Sequence, residues 1–139
     1  MEKFQKICAT GFLFHNDKVL LLKRSEKEAF LPNYYELVGG KIDFGETVEE
    51  GLIREFKEET NLEINVLQPY STFAYVSNEG NRHTVDIQLI VELKGAESDL
   101  KLSPAHAEHI WITETELDNY QVTDEMKKAI KKGFKEIKL

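Results

Sequence analysis

Three carboxylates lie close together in the segment between Arg54 and Leu62. Glu55, Glu58 and Glu59 are spaced so that a helix would present all three on one side. Carboxylates at that spacing repel each other unless a cation joins them. Mg²⁺ is the natural candidate, because it is a hard ion that binds carboxylate oxygens and takes phosphate oxygens as further ligands. The cluster therefore predicts a metal-dependent reaction at a phosphate.

The residues before the carboxylates complete a longer pattern of fixed spacing. From Gly40 to Leu62 the chain reads G-x5-E-x7-R-E-U-x-E-E-x-N-U, where U is a bulky apolar residue. Six charged or glycine positions match together, and the chance of this in a chain of 139 residues is on the order of 10⁻⁶. The pattern resembles the Nudix box, residues 40–62 here. It departs from the box only at Asn61, where the box has glycine.

Resemblance to the Nudix hydrolases implies roles for the residues of the box. The expected ligands of Mg²⁺ or Mn²⁺ are the carbonyl of Gly39 and the side chains of Glu55, Glu58 and Glu59. Glu46 and Arg54 are expected to pair and to orient these carboxylates, because a metal ligand needs an outer shell that fixes it.

The implied reaction is cleavage of the pyrophosphate in a nucleoside diphosphate linked to a group X. Metal ions neutralise the phosphate oxygens and lower the pKa of a bound water, and a carboxylate accepts the proton as that water attacks. Glu58 and Glu59 are the candidate bases within the box. Glu108 is a later candidate base or ligand, because a glutamate shortly before an apolar, Trp-containing strand recurs in this family. The choice stays open at this point.

Other residues are candidates for contact with the substrate. Arg24 ends a predicted strand and Lys41 lies in the glycine-rich loop, so both are candidates for phosphate binding, with ordinary surface charge as the alternative. Four aromatic residues are candidates for stacking on a base, with core packing as the alternative: Tyr34, Tyr35, Phe73 and Tyr75. His106 and His109 have no metal-type spacing to a third ligand, and we expect them to be structural or exposed.

Composition limits the class of protein. A chain of 139 residues predicts one domain over 1–139, and 41% hydrophobic residues suffice for a core. The net charge of −7 argues against nucleic acid as a partner. A single cysteine, no apolar signal-peptide core and no membrane-length apolar run predict a cytoplasmic protein with no membrane partner. The expected partner is a small nucleotide; self-association as a homodimer stays open.

The helix that carries the carboxylates is predicted over 47–60. Thr47 is a good N-cap, and Glu50 three residues later completes a capping box. Leu52 and Phe56 should face the core with Ile53 beside them. Asn61 suits the left-handed residue that ends a helix, for which asparagine is second only to glycine.

The remaining pattern predicts strands around this helix. Strands are expected over 7–14, 19–23, 35–38, 62–68, 71–76, 83–93 and 108–112, with a second helix over 123–137 and loops over 25–33 and 94–104. Mixed strands and two helices predict a sheet covered on both faces. The fold class is therefore α/β, in agreement with the α/β/α sandwich, a mixed sheet between helices, that the resemblance implies.

Among Nudix subfamilies, the short chain and the residues before Gly45 are most similar to those that act on nucleoside triphosphates, including oxidised ones. An alternative is a non-catalytic Nudix-fold module that binds or senses a nucleotide. Such modules usually lose box carboxylates, whereas all three are present here. A third reading, a plain acidic interaction domain, does not explain the box.

Overall fold

The computed structural model describes residues 2–138, which form a mixed sheet of seven strands with a helix on each face. The strands are β1 (Phe4–His15), β2 (Lys18–Arg24), β3 (Tyr35–Glu36), β4 (Val38–Lys41), β5 (Ile64–Ser77), β6 (Arg82–Leu93) and β7 (His106–Ile112). The helices are α1 (Val48–Thr60) and α2 (Asp124–Glu136), with short 3₁₀ helices at Glu97–Asp99 and Glu114–Asn119. The predicted α/β sandwich is confirmed.

The long strand β1 organises the sheet. It pairs in parallel with β6 and antiparallel with both β2 and β4, giving the order β3-β2-β1-β6-β5, in which β4 joins β1 and β7 joins β2. β1 is longer than the predicted 7–14, and it pairs with β6 over residues 4–13, with β4 over 8–11 and with β2 at 14–15. Within the described residues, no helix is long and apolar enough to cross a membrane.

Each helix covers one face of the sheet with its own cluster of buried side chains. Leu52 and Phe56 of α1 are fully buried against strand residues such as Leu13. On the opposite face, Ile130 and Phe134 of α2 pack on a second cluster. Each Å² of apolar surface removed from water stabilises the fold by about 25 cal/mol. The buried side chains of α1 therefore fix its position relative to the sheet.

Three local expectations need correction. Ile53 is 37% exposed rather than part of the core, because the buried stripe of α1 follows Leu52 and Phe56 and turns away from it. The strands predicted over 62–68 and 71–76 are one strand, β5, which continues through Pro69 with register shifts on either side. Proline is tolerated there because β5 is an edge strand. The strand predicted over 35–38 is interrupted at Leu37, between β3 and β4.

Both ends of α1 form as the sequence predicts. Thr47 accepts from the Glu50 N–H while the Glu50 carboxylate accepts from the Thr47 N–H, which is the capping box. At the other end Asn61 has φ 63° and ψ 10°, in the left-handed region, and its N–H donates to the Lys57 carbonyl. The Asn61 side chain also donates to the Asp99 carbonyl at 3.0 Å.

Asn61 offers a test of this helix end. Asn61→Val should destabilise the fold by roughly 1–2 kcal/mol or more, because a β-branched residue resists the left-handed region. Asn61→Gly should hold or slightly raise stability, since its relaxed backbone offsets the lost bond to Asp99. Denaturant unfolding of the parent and both variants measures this. Equal stability of the Val variant and the parent would contradict the assignment.

Candidate active site

The glycine pair Gly39-Gly40 brings the loop before α1 into direct contact with its neighbours. A Cβ on Gly39 would lie 2.0 Å from the backbone oxygen of Ala9, and a Cβ on Gly40 would lie 2.5 Å from Oε2 of Glu55. Only glycine allows β4 to approach β1 and the Glu55 carboxylate this closely. The predicted ligands Gly39 and Glu55 are therefore neighbours in space.

Arg54 joins the carboxylates of the box. Its guanidinium donates two hydrogen bonds to Glu46, from Nε to Oε2 at 2.7 Å and from Nη2 to Oε1 at 2.9 Å. Nη1 donates to Glu55 at 3.0 Å and to Glu58 at 3.1 Å, and Nη2 also donates to the Lys41 carbonyl at 2.9 Å. The structure thus contains the predicted pair of Glu46 and Arg54, and it ties that pair to two carboxylates and to the glycine-rich strand.

Two of the carboxylates that Arg54 contacts, Glu46 and Glu55, have shifted pKa values. Hydrogen bonds from the Arg54 guanidinium and the Asp43 N–H lower the pKa of Glu46 to about 2. Burial raises the pKa of Glu55, and the nearby Glu58 and Glu59 add to this, although Arg54 opposes it. Burial is thus the main reason that the charged form of Glu55 is disfavoured, the neighbouring carboxylates add to it, and a bound cation would favour the charged form.

Glu59 has partners that the sequence did not indicate. Its Oε2 accepts from the Ser103 hydroxyl at 2.6 Å and lies 2.8 Å from Nδ1 of His106, whose side chain is only 8% exposed. His106 lies between Glu59 and Glu36, whose carboxylate is 3.7 Å from Nε2. Burial lowers the pKa of His106, but the carboxylates of Glu36 and Glu59 outweigh burial and raise it to about 9.

This contact changes how Glu59 is understood. His106 chiefly, with Ser103, holds the pKa of Glu59 below its ordinary value despite its burial. The repulsion expected from the sequence is therefore offset at Glu59 by a cationic partner. His106 is structural as predicted, but its contact is with a box carboxylate. The sequence could not predict the contact between His106 and Glu59, because the two residues are far apart in the chain. They meet because the N–H groups of Lys101 and Ser103 donate hydrogen bonds to carbonyls at the end of α1.

The donor set of α1 fits a hard divalent cation in its chemistry. Glu55, Glu58 and Glu59 offer carboxylate oxygens and Gly39 a carbonyl, the ligands that Mg²⁺ and Mn²⁺ prefer. Their side chains point to different partners, and over residues 2–138 no three acidic, His or Cys side chains converge as a metal site. Glu58 is the most available of the three: its side chain is 56% exposed, and within the described part of the chain it bonds only to Arg54.

A pocket of about 380 Å³ lies on the other side of the glycine-rich strand. Its wall includes Gly39, Gly40 and both predicted phosphate-binding residues, Arg24 and Lys41. All four aromatic candidates also line it: Tyr34, Tyr35, Phe73 and Tyr75. The structure therefore brings residues from four separate segments to one cavity beside the box.

The substrate candidates differ in how firmly they are held. Arg24 donates to both oxygens of Glu36, at 3.2 and 3.3 Å, and to the Phe30 carbonyl at 2.8 Å. Glu108 accepts a hydrogen bond from the Tyr35 hydroxyl and lies opposite Lys23 in the pairing of β2 and β7. Glu108 thus lies beside the pocket wall. It is not a partner of Glu59, whose side chain contacts Ser103 and His106.

Acid titration tests the pair of Glu46 and Arg54. The pKa of Glu46 is about 2 in the fold and ordinarily 4.5, so the pairing contributes stability above pH 4.5 and loses it as pH falls toward 2. Glu46→Gln should therefore melt below the parent at pH 7, and the gap should close between pH 4.5 and 2. Thermal melts in EDTA over this range measure it. A gap that stays constant down to pH 2.5 would refute the ion pair's contribution.

Comparison with known proteins agrees with this geometry. A family model described as the NUDIX domain matches residues 6–133. An ADP-ribose pyrophosphatase of Methanocaldococcus jannaschii is 31% identical over 91 residues, which cover 66% of this chain and 53% of that protein. The nucleoside triphosphatase NudI of Enterobacter sp. (strain 638) is 26% identical over 130 residues, 86% of this chain and 90% of that protein.

A solved structure shows the same fold. The crystal structure of a MutT NUDIX hydrolase from Burkholderia pseudomallei superposes with a TM-score of 0.81 at 20% identity, covering 94% of this chain and 98% of that one. The match to the archaeal relative spans about half of that protein's length, whereas the family model spans nearly all of this chain. The box, the fold and the family model together show that this chain belongs to the Nudix hydrolase family.

Proposed function

We propose that this protein hydrolyses the pyrophosphate of a nucleoside diphosphate derivative, preferably a nucleoside triphosphate or its oxidised form, with Mg²⁺ or Mn²⁺ as cofactor. The observation that carries the proposal is the position of β4. Glu55 presses against Gly40 on one side of this strand, and the pocket that contains Arg24 and Lys41 lies on the other. A nucleotide in the pocket would thus have its phosphates beside the carboxylates of α1.

The residues of α1 divide the work at the phosphates. Glu55, Glu58, Glu59 and the Gly39 carbonyl would hold the divalent ion. When bound, that ion would neutralise phosphate charge and lower the pKa of a coordinated water. Arg54 positions Glu55 and Glu58, and its bidentate bond to Glu46 keeps its planar fork in one orientation. Ser103 and His106 position Glu59 from the opposite side.

The pocket supplies the positive charge that an acidic protein otherwise lacks. Lys6, Arg24, Lys41 and Arg82 all line it, although the chain carries a net charge of −7. Lys41 is the last residue of β4 and directly follows the glycine pair in the chain. We propose that Lys41 and Arg24 contact the phosphates and that the aromatic residues of the pocket contact the base.

The relatives bear on the substrate only in part. The partial match is to an ADP-ribose pyrophosphatase, whereas the relative matched over 90% of its length is a nucleoside triphosphatase. The second match agrees with the residues before Gly45 and favours triphosphates. We also propose a cytoplasmic location, which the single, buried free cysteine Cys8 supports.

Metal dependence and one box carboxylate test the proposal together. A panel of nucleoside triphosphates and ADP-ribose should show phosphate or pyrophosphate release with Mg²⁺ or Mn²⁺ and none in EDTA. Glu58→Gln should lower kcat at least 100-fold, about 2.7 kcal/mol in barrier, because it removes a ligand or base. Glu49→Gln, an exposed change on the same helix, is the matched control and should leave kcat unchanged. Full hydrolytic activity in EDTA, after metal removal has been verified, would refute the proposal.

Glu108 tests where the general base lies. The Tyr35 bond holds its carboxylate at the pocket wall, so Glu108→Gln should keep kcat within about threefold, under ~1 kcal/mol in barrier. The Gln amide oxygen still accepts the Tyr35 hydrogen bond, so stability should change little. Steady-state kinetics beside the Glu58 variant gives the comparison. A 100-fold loss in the Glu108 variant would assign the base to Glu108 instead.

A further inference from the structure

The floor of the pocket carries a buried carboxylate that the proposed reaction does not use. Asp86, in the middle of β6, is 6% exposed and lines the pocket. Its Oδ1 accepts from the Thr10 hydroxyl at 3.0 Å and from Nε2 of Gln88 at 2.9 Å. Its Oδ2 accepts no hydrogen bond from the described residues, and none of their cationic side chains forms an ion pair with Asp86.

Such a carboxylate costs stability unless something compensates it. Burial removes much of the hydration of the Asp86 carboxylate, and hydrogen bonds from the described residues compensate only its Oδ1. Burial raises the pKa of Asp86 to about 6, against the lowering effect of the Thr10 and Gln88 hydrogen bonds. At pH 8 the group is therefore an ionised acceptor beside a cavity. A ligand that brings an N–H donor would supply the missing bond.

A second polar atom on the same floor also lacks a partner. Thr84 lies two residues before Asp86, so both side chains are on one face of β6. Its hydroxyl oxygen is buried and, among residues 2–138, makes no hydrogen bond of ordinary distance and angle, although the Tyr75 hydroxyl lies near it. A hydroxyl can donate or accept, so it can pair with a carbonyl or with an amine. Asp86 and Thr84 together form a polar edge of the pocket, which can form hydrogen bonds with two adjacent polar groups of a ligand.

The walls around this edge are flat and aromatic. Phe30 and Tyr75 are parallel within 9°, with ring centroids 5.8 Å apart, and Phe73 lies 6.2 Å from Tyr75. All three line the pocket. Flat aromatic faces beside a polar edge suit a planar heterocycle, which stacks on the rings and bonds through its rim.

The register of the sheet sets the distance from this edge to the phosphate side. Cys8 of β1 pairs with Lys41 on one side and with Asp86 on the other. Lys41 and Asp86 are therefore two strand spacings apart, roughly 10 Å. A nucleotide with its phosphates at β4 would place its sugar over β1 and its base over β6.

We propose that Asp86 selects bases whose pairing edge carries an amide N–H, namely guanine, hypoxanthine, uracil and thymine, over adenine and cytosine. This inference rests on the proposed nucleotide function of the pocket. The amide N–H donates to Oδ2 of Asp86, and the neighbouring carbonyl or amine pairs with the Thr84 hydroxyl. Adenine and cytosine present a ring-nitrogen lone pair at the same place, which an ionised carboxylate repels.

Binding of nucleoside monophosphates tests this without any turnover. Calorimetric titration in EDTA at pH 8 compares two pairs of equal size, GMP with AMP and UMP with CMP. GMP and UMP should bind at least tenfold tighter than their partners. Asp86→Asn should reduce both ratios to within about threefold of unity, because an amide offers a donor as well as an acceptor.

Two further variants keep the result interpretable. Asp118→Asn makes the same chemical change at an exposed residue that bonds Lys127, and it should keep the parent's preference. Thr84→Val keeps the carboxylate, so it should weaken GMP and UMP binding and still prefer them over AMP and CMP. If Asp86→Asn does not fold, the paired titrations of the parent and of the Thr84 variant decide.

The outcomes separate the two proposals. Equal affinities within each pair, a preference for AMP and CMP, or no saturable binding of any monophosphate would overturn the role of Asp86. The expected preference without hydrolysis of any triphosphate would uphold this inference and refute the proposed reaction. Hydrolysis without any preference between the bases would do the reverse.

Discussion

The arrangement of the box depends on one guanidinium in an acidic helix. Glu55 and Glu58 approach each other on α1, and Arg54 donates to both while its other edge is fixed on Glu46. A lysine would supply the charge but lacks a planar fork that bonds several carboxylates at fixed angles. Arg54 therefore stabilises a cluster that would otherwise repel itself, and it does so without removing the negative charge that attracts a divalent ion.

The backbone around Arg54 is fixed by packing of a different kind. Gly39 and Gly40 let β4 lie against β1 on one side and against Glu55 on the other. The apolar stripe of α1, with Leu52 and Phe56, holds the helix on the sheet so that this contact persists. The packing of the buried side of α1 thus determines the position of the carboxylates on its charged side. A cavity in the core under Phe56 would move the carboxylates as surely as a change among them.

The parts of the site that could be predicted are those close together in sequence. The Glu55 cluster and the helix end at Asn61 follow from spacings within 23 residues, and the resemblance to the Nudix box implied the pair of Glu46 and Arg54. The fold class followed from the periodicity of apolar residues. The continuous strand across Pro69 did not, because a proline usually ends a strand. Proline is tolerated here because β5 lies at the edge of the sheet. Ile53 was misplaced because three apolar residues within five positions, 52–56, do not define which side of the helix is buried.

The parts that could not be predicted depend on contacts between distant segments. His106 reaches Glu59, and Asp86 lies in one pocket with Arg24, only because the sheet brings β7 and β6 to these places. A weaker signal did exist in β6. Thr84, Asp86 and Gln88 alternate with Val85, Ile87 and Leu89, so this strand is polar on one face and apolar on the other although both are largely buried.

That alternation separates the two tasks of the molecule. In the proposed function, the chemistry at the phosphates lies on a continuous segment, whose spacing is constrained by the geometry of one helix and one ion. The proposed recognition of the base lies on strands whose partners are fixed only by the sheet. There, a single change such as Asp86→Asn would alter which base edge the pocket accepts without touching α1. A Nudix domain can therefore keep one reaction while its substrate changes. On this proposal the box identifies the reaction class, whereas the polar face of β6 would carry the information about the base.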